Sequence, residues 1–246
     1  MRYLGKLAYN GKDFFGFQRL KEKRSVQKEV ERALSRLKGD PVTIHGAGRT
    51  DAGVHAIGQT FSFDFPKIDD LASFTNKLNS LLPADIKAYG IEEKPEGFDA
   101  RHHCSGKAYR YRFSYGERDP FEYGLLASIN QKDFDPNKLE EALSYFVGEH
   151  NFQNFTTKKE DPADFIRHIE KIEVTLDLEQ KRGEVYFKGD AFMTYMIRLI
   201  MGTAFRACSG KIKPEDIPSL LKETPRHIQP YKAPAEGLYL EEVFYG

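Results

Sequence analysis

Residues 44–65, IHGAGRTDAGVHAIGQTFSFDF, read as two strands joined by a loop that is rich in glycine. Phe61, Phe63 and Phe65 alternate with polar residues, which predicts a strand with one apolar face. Residues 42–45 predict a short strand before the loop. Because a helical pattern lies on each side of this strand pair, the stretch is the centre of a β-α-β-β-α-β unit.

The helices of the first half begin and end at recognisable residues. Ser25 is in a position to cap a helix whose apolar residues recur at helical spacing, and Gly39 ends that pattern. A second helical pattern begins at Leu71 and stops before Pro83. Strands are predicted before the first helix, at residues 2–9, and after the second, around residues 86–92.

The second half of the chain repeats the same order of elements, without a repeat of sequence. Its predicted elements are a strand at KAYRYRFSY (107–115), a helix from Asp135, strands at 166–178 and 183–190, a long helix at 191–208, a short helix at 215–222 and a last strand at 237–246. The order predicts an α+β fold of two ferredoxin-like halves, residues 1–100 and 101–246. We expect them to join around a central antiparallel sheet with a cleft between them.

Composition indicates a soluble, cytoplasmic protein. The 246 residues include 37 basic and 37 acidic ones, so net charge by itself favours neither nucleic acid nor membrane. Two cysteines are too few for a disulfide framework, and the first residues show no signal-peptide pattern. The most apolar stretch, residues 191–205, contains Arg198 and is too short to span a membrane.

The glycine-rich loop contains Arg49 and Asp51, two residues apart. On extended backbone such residues share a face, and a nearby guanidinium keeps a carboxylate ionised, as a nucleophile requires. The alternative is an Arg–Asp pair that only stabilises the loop, and the pattern alone favours this alternative. A phosphate-binding loop is not indicated, because the GxxxxGK[ST] spacing is missing and no helix follows.

Several histidines invite comparison with a metal site. His45 and His55 flank the loop, and His102 and His103 precede Cys104. None of them has the spacing of a known metal motif, so we predict polar contacts and no metal ion.

Basic residues are concentrated in two segments. Residues 19–38 contain eight basic and three acidic residues, and residues 101–118 contain five and one, interleaved with aromatic residues. Basic groups beside tyrosine rings suit RNA, whose phosphates and bases they contact. The alternative is that both segments are simply solvated.

Arg198 lies in the most apolar helical pattern of the chain. A buried guanidinium needs a partner, which could be a carboxylate such as Asp51 or a substrate phosphate. Alternatively, its long side chain could reach the surface from the helix end.

Several of these segments together resemble the TruA-type tRNA pseudouridine synthases. GAGRTDAGVHA (46–56) matches the signature of that family, and FDARHHCSGKAYRYRF (98–113) is similar to its second motif. AFMTYMIRLIMG (191–202) resembles the arginine-bearing helix, and AEGLYL (235–240) the C-terminal motif. YNGKDFFGFQR (9–19) and RSVQKEVERAL (24–34) are similar too, so the resemblance extends over nearly the whole chain.

The resemblance implies an isomerase that converts uridine to pseudouridine in the anticodon stem-loop of tRNA, typically at positions 38 to 40. It implies a homodimer without cofactor. By position, Asp51 corresponds to the catalytic carboxylate, and Arg49 to the arginine that contacts RNA and helps to flip the base. Tyr109 corresponds to the tyrosine that stacks on uracil, and Arg198 to the arginine that pairs with the catalytic aspartate. Arg101, in the Ala-Arg pair of the second motif, is expected to bind substrate.

The chain departs from the family at Tyr195 and Leu199, where members often have His and Asn, and in TTKKEDPADFIRH (156–168). Two other functions are alternatives to this one. An RNA-binding module without chemistry would have no use for a carboxylate that repels phosphates. A hydrolase with an aspartate nucleophile would need a second acidic residue close by, whereas Asp64 lies thirteen residues further along the chain.

Overall fold

The computed structural model describes residues 1–130, 133–157, 165–222 and 226–246. They form a mixed α+β structure with extensive β-sheet and few helices. Contacts between residues divide it into two compact units, Met1–Ser105 together with Tyr239–Gly246, and Gly106–Leu238.

The helices and strands follow one another in this order. The first unit contributes β1 (Arg2–Tyr9), α1 (Val26–Lys38), β2 (Ile44–Gly46), β3 (His55–Asp64), α2 (Leu71–Leu81) and β4 (Ile86–Lys94). Then come β5 (Cys104–Ser114), β6 (Ala127–Ser128), α3 (Lys138–Ser144), β7 (Gly148–Asn151), β8 (Ile166–Asp177), β9 (Arg182–Gly189), α4 (Met196–Cys208), α5 (Ile217–Leu220) and β10 (Leu238–Tyr245).

The sheet of the first unit has the strand order β4-β1-β3-β10, and β2 pairs with β3. Pairing of β1 with β3 and β4 is antiparallel, whereas β10 runs parallel to β3, with Tyr239 opposite His55. Phe61 and Phe63 on β3 are fully buried and their rings stack at 5.3 Å, as the alternating pattern predicts. Strand β3, which follows the glycine-rich loop, thus lies in the interior of this sheet, and β2, which precedes the loop, pairs along it.

Helix α1 buries the face that its sequence predicts. Val26, Val30 and Leu34 have no exposed surface. Ser25 is at the N-cap position, and Gly39 ends the helix with a left-handed φ of 83°, which glycine adopts without steric cost. The buried carboxylate of Glu31 accepts hydrogen bonds from Arg19 and from the main-chain N–H of Ile44, so α1 anchors the strand before the loop.

The sheet of the second unit has the order β5-β9-β8-β7, and the two-residue β6 runs parallel to β5. Helix α4 is almost entirely buried. The rings of Phe113 and Phe205 meet edge to face at 5.0 Å, which joins β5 to α4.

Three features differ from the expectations. The second half contains the extra short strands β6 and β7, and α4 begins at Met196 rather than at residue 191. The third difference is the position of β10. Its residues from Tyr239 onward lie in the first unit, whereas the expected second half, residues 101–246, includes them. An alternating pattern identifies a strand but not the strand it pairs with, so the sequence left this partner open.

Candidate functional site

The loop between β2 and β3 is held by the turn that follows β1. Gly11 and Gly16, in that turn, approach its backbone so closely that a Cβ atom would lie 2.0 Å from Val54 O and 2.7 Å from Thr50 O, respectively. Gly16 also has a left-handed φ of 94°. The N–H of Phe17 donates to Thr50 O at 3.1 Å. Both glycines are therefore required for the turn to lie against this loop.

Asp51 is half-buried in this loop, and Arg49 is exposed two residues before it. The carbonyl of Asp51 accepts the N–H of Val54 at 3.1 Å, which closes a tight turn through Gly53 at φ 80°. Gly53 N–H donates in turn to Phe14 O at 3.3 Å. The backbone on both sides of the carboxylate is therefore hydrogen-bonded to the turn after β1.

At Gly46 and Gly58, in the two strands that flank the loop, glycine acts by its small size. A Cβ at Gly46 would lie 2.4 Å from the ring of Phe17. At Gly58 a Cβ would lie 2.3 Å from Glu241 O on β10. Both positions allow a neighbour to approach the backbone.

The two histidines that flank the loop make protein contacts. His55 is buried; its Nδ1 accepts the N–H of Gly11 at 2.9 Å, and its ring stacks on Tyr239 at 4.5 Å. His45 lies near the carboxylate of Asp99 and helps to lower the pKa of that group. The hydrogen bond and the ring contact support the interpretation of His55 as scaffolding of the loop.

Arg101 lies in a turn of the first unit that is organised by Asp99. The Asp99 carboxylate accepts the N–H groups of Arg101 and His102 at 2.8 and 2.9 Å. Partial burial by itself would raise the pKa of Asp99, but these hydrogen bonds and the nearby His102 lower it overall. The buried Ala100 accepts a hydrogen bond from Tyr245 at 2.9 Å, so the exposed Arg101 side chain projects from a fixed backbone.

Tyr109 lies on β5 of the second unit, opposite Phe187 of β9. Only 9% of its surface is exposed, and its ring meets Phe192 edge to face at 5.3 Å. The ring orientation of Tyr109 is therefore supported by packing.

Arg198 is buried in the first turn of α4 rather than extended to the surface, so the alternative of a solvated guanidinium is wrong. Its Nε donates to Ala233 O at 2.8 Å, and its main-chain carbonyl accepts the N–H of Ala233 at 2.9 Å. The guanidinium carbon is 5.5 Å from the ring centroid of Tyr195.

Ion pairs reduce the positive charge of both basic segments. Arg110 and Arg112 on β5 both contact Glu184 of β9, at 2.9 and 2.8 Å. In the first segment Arg19 pairs with Glu31 at 2.9 Å, and Arg24 pairs with Asp85 at 2.7 Å. The cross-strand partner Glu184 lies far away in sequence, so a local count of charges could not include it.

Among the described residues, no three His, Cys, Asp or Glu side chains are grouped so that they could hold a metal ion. No helix in the described parts of the chain is both long and apolar enough to cross a membrane.

The predicted site residues are divided between the units. Asp51, Arg49 and Arg101 lie in the first unit, and Tyr109 and Arg198 in the second. The segment 158–164, within the stretch that departs from the family, is outside the described residues. The sequence analysis missed the supporting role of Gly11 and Gly16, although the paired glycines of YNGKDFFGFQR were a signal that this turn contacts another backbone.

Sequence comparison finds relatives along nearly the whole chain. The family model described as tRNA pseudouridine synthase matches residues 7–102 and 142–246. A protein of Bacillus cereus named tRNA pseudouridine synthase A 1 is 37% identical over 242 residues, which cover 97% of this chain and 96% of that protein. The tRNA pseudouridine synthase A of Streptococcus gordonii is 35% identical over 245 residues, covering 99% and 98% of the two chains.

Comparison with solved structures is less informative. A crystal structure of a Cbf5-Nop10-Gar1 complex aligns with 84% of this chain and 53% of its own, at 10% sequence identity and a TM-score of 0.34. A TM-score this low carries no argument about the fold.

Proposed function

The chain belongs to the tRNA pseudouridine synthase family, and from this membership we propose that it isomerises uridine to pseudouridine in the anticodon stem-loop of tRNA. We assign the reaction to positions 38 to 40 of the tRNA and the nucleophile to Asp51, without a cofactor. Members of this family are isomerases, and the chain is one by membership.

The observation that supports Asp51 as the nucleophile is that its loop is held by the turn after β1. The backbone on either side of the carboxylate is hydrogen-bonded to the turn after β1, and Gly11 and Gly16 allow that turn to lie directly against it. A loop that only reversed the chain would not need such support. Preorganised groups are favourable in catalysis because they need not rearrange during the reaction.

The reaction requires no change of oxidation state and no net hydrolysis. The N1–C1′ bond of uridine breaks, the uracil turns, and a C5–C1′ bond forms; the C5 proton then leaves to solvent while N1 takes up a proton. A carboxylate can assist by attacking C1′ of the ribose or C6 of the uracil. Both routes fit Asp51, and both release the hydrogen from C5.

The remaining site residues are assigned to the RNA. We propose that Tyr109 stacks on the target uracil, since packing against Phe192 supports its ring, and that Arg49 occupies or clamps the position the base leaves. Exposed Arg101 contacts the RNA backbone. For Arg198, pairing with Asp51 is the proposed role, and its burial is consistent with a charge that serves a partner rather than solvent.

We further propose a cytoplasmic homodimer that binds tRNA through its basic segments. The first segment retains exposed basic side chains that can contact phosphates, among them Lys21, Lys23 and Arg36, and Arg101 and Arg118 are exposed in the second. A dimer would present two copies of each segment to RNA, which compensates for the overall neutral charge.

The ferredoxin-like description of the halves 1–100 and 101–246 also stays a proposal. In the first unit the element order is β-α-β-β-α-β, and β1 lies between β4 and β3, with β2 on the other side of β3. That arrangement supports the proposal for the first half.

The test is the release of tritium from tRNA that is labelled at uracil C5. We expect release by the wild type and none by Asp51→Asn, a variant of nearly the same shape that retains tRNA binding. Asp64→Asn is the matched control, because Asp64 is exposed at the end of β3 and pairs with Arg2, 3.2 Å away. It should release tritium like the wild type.

Two outcomes would contradict the proposal. Release that persists in Asp51→Asn would remove Asp51 from its role as nucleophile. Binding of tRNA by the wild type without release from any labelled tRNA would instead indicate an RNA-binding module.

A further inference from the structure

One face of helix α4 contacts the segment Tyr231–Ala233 at three successive points. Tyr195, Arg198 and Gly202 are spaced so that they share this face. Lys232 Nζ lies 3.7 Å from the ring centroid of Tyr195, Arg198 Nε donates to Ala233 O at 2.8 Å, and a Cβ at Gly202 would lie 2.0 Å from Tyr231 O. These contacts hold the segment and the beginning of α4 in one arrangement.

Tyr195 has an unusual backbone conformation. It precedes α4 at the N-cap with φ 63° and ψ 3°, in the left-handed region, which is sterically unfavourable for a bulky residue. Its carbonyl accepts the N–H of Leu199 at 2.9 Å. Strain of this kind persists where the surrounding contacts require it. Tyr195 is also one of the two positions in residues 191–202 at which the chain departs from the family.

The ring of Tyr195 lies close to two cations. The Lys232 ammonium is 3.7 Å from its centroid and the Arg198 guanidinium carbon is 5.5 Å from it. Both distances are within the range of about 6 Å in which an aromatic ring attracts a cation. Because Arg198 Nε also donates a hydrogen bond to Ala233 O, the guanidinium is held both by the Tyr195 ring and by that carbonyl.

We infer that Tyr195 is a positioning residue for Arg198, and that Lys232 holds the Tyr195 ring in place. The inference rests on the proposed role of Arg198 in the reaction. Without the ring, the guanidinium loses one of the contacts that orient it and samples more orientations. The chemical step is then slower, while affinity for tRNA is unchanged because Tyr195 itself does not bind RNA.

The experiment measures the single-turnover rate of tritium release together with the Kd for the same tRNA. Tyr195→Phe keeps the ring, and we expect its rate to be within about twofold of the wild type. For Tyr195→Leu we expect a rate about fivefold lower, the loss of one cation–π contact, at unchanged Kd. A wild-type rate for Tyr195→Leu, or an equal loss for Tyr195→Phe, would overturn the inference.

Two further variants distinguish the effect of losing the Tyr195 ring from effects on backbone strain and on stability. Asn tolerates the left-handed conformation better than Tyr, so Tyr195→Asn should keep or raise the melting temperature and still lose rate as Tyr195→Leu does. If Tyr195 had only a structural role, Tyr195→Asn would be as fast as the wild type.

Lys232 is exposed, so Lys232→Met should fold and should lower the rate without changing Kd. A weaker Kd at full rate would show that Lys232 contacts RNA instead.

The same assay distinguishes the two proposals. Absence of tritium release by the wild type would contradict the proposed function. Release by the wild type, its loss in Asp51→Asn and a wild-type rate in Tyr195→Leu would leave the function intact and refute only the role of Tyr195.

Discussion

The hydroxyl groups of Tyr9 and Thr50 share a buried hydrogen bond of 2.8 Å, which joins β1 to the residue immediately before Asp51. Tyr9 also hydrogen-bonds Gln59, whose side-chain amide donates to Gly48 O at 3.0 Å. Burial raises the pKa of Tyr9, so its phenol remains protonated at neutral pH. One buried tyrosine is thus linked to the residues on both sides of Arg49.

Replacement of Tyr9 by Phe should therefore weaken the support of the loop. Tyr9→Phe leaves the buried Thr50 hydroxyl without this partner, which typically costs about 1–3 kcal/mol of unfolding free energy. We expect slower tritium release as well, because Asp51 follows directly. Tyr9→Phe combined with Thr50→Val should cost less than the sum of the two single changes, measured by denaturant unfolding. Strict additivity would mean that the hydrogen bond does not couple them.

Substitution at Gly16 tests the close contact between the turn and the loop. Gly16 and Gly39 both have a left-handed φ, 94° and 83°, but only at Gly16 would a Cβ meet another backbone, at 2.7 Å from Thr50 O. Gly39→Ala should cost about 1 kcal/mol, the conformational cost alone. Gly16→Ala should cost more and should also slow tritium release, which Gly39→Ala should leave unchanged. Equal effects of the two variants on stability and rate would argue against the contact.

For Tyr109 the expected result depends on the ring rather than on the hydroxyl. A stacked base is worth about 1–3 kcal/mol, so Tyr109→Ala should weaken binding of tRNA roughly tenfold or more. Tyr109→Phe keeps the ring and should bind more tightly than Tyr109→Ala. The measurement is the Kd by filter binding at fixed salt concentration. Equal Kd values for Tyr109→Phe and Tyr109→Ala would count against stacking.

The turn that contains Arg101 should respond to acid through Asp99. Because the pKa of Asp99 is lowered in the folded protein, its ionised form stabilises the fold above the ordinary value of 3.8, and this contribution is lost as the pH falls through the lower folded value. The wild type should therefore be more stable than Asp99→Asn at pH 7, and the difference should shrink near pH 3. Melting temperatures of both proteins at both pH values measure it. A difference that grows on acidification would refute the assignment.

Local patterns predicted most helices and long strands because the periodicity of such elements is visible in consecutive residues. The buried face of α1, from Val26 to Leu34, and the alternation of Phe61 and Phe63 are of this kind. Strand β6 has two residues and strand β7 four, which are too few to show a period. Their existence depends on pairing with β5 and β8, which lie elsewhere in the sequence.

The candidate site shows the same limit. The motif residues Arg49 and Asp51 were identified from consecutive sequence together with the family resemblance. The contacts of Tyr9 with Thr50, of Glu184 with Arg110 and of Lys232 with Tyr195 join distant segments, and no spacing rule encodes them. Burial of Arg198 required the structure to distinguish it from a surface position.

The return of β10 to the first unit has a consequence for biosynthesis. His55, which accepts the Gly11 N–H beside the Asp51 loop, stacks on Tyr239, and Ala100 accepts a hydrogen bond from Tyr245. A ribosome produces residues 1–105 long before it produces residues 239–246, so the nascent first unit lacks the strand that pairs with His55 and Ala56 at the start of β3. Domains usually fold in the order of their synthesis, but this one is completed only after the second unit has been translated. Translation that stalls before Tyr239 would thus yield a chain whose Asp51 loop lacks part of its support.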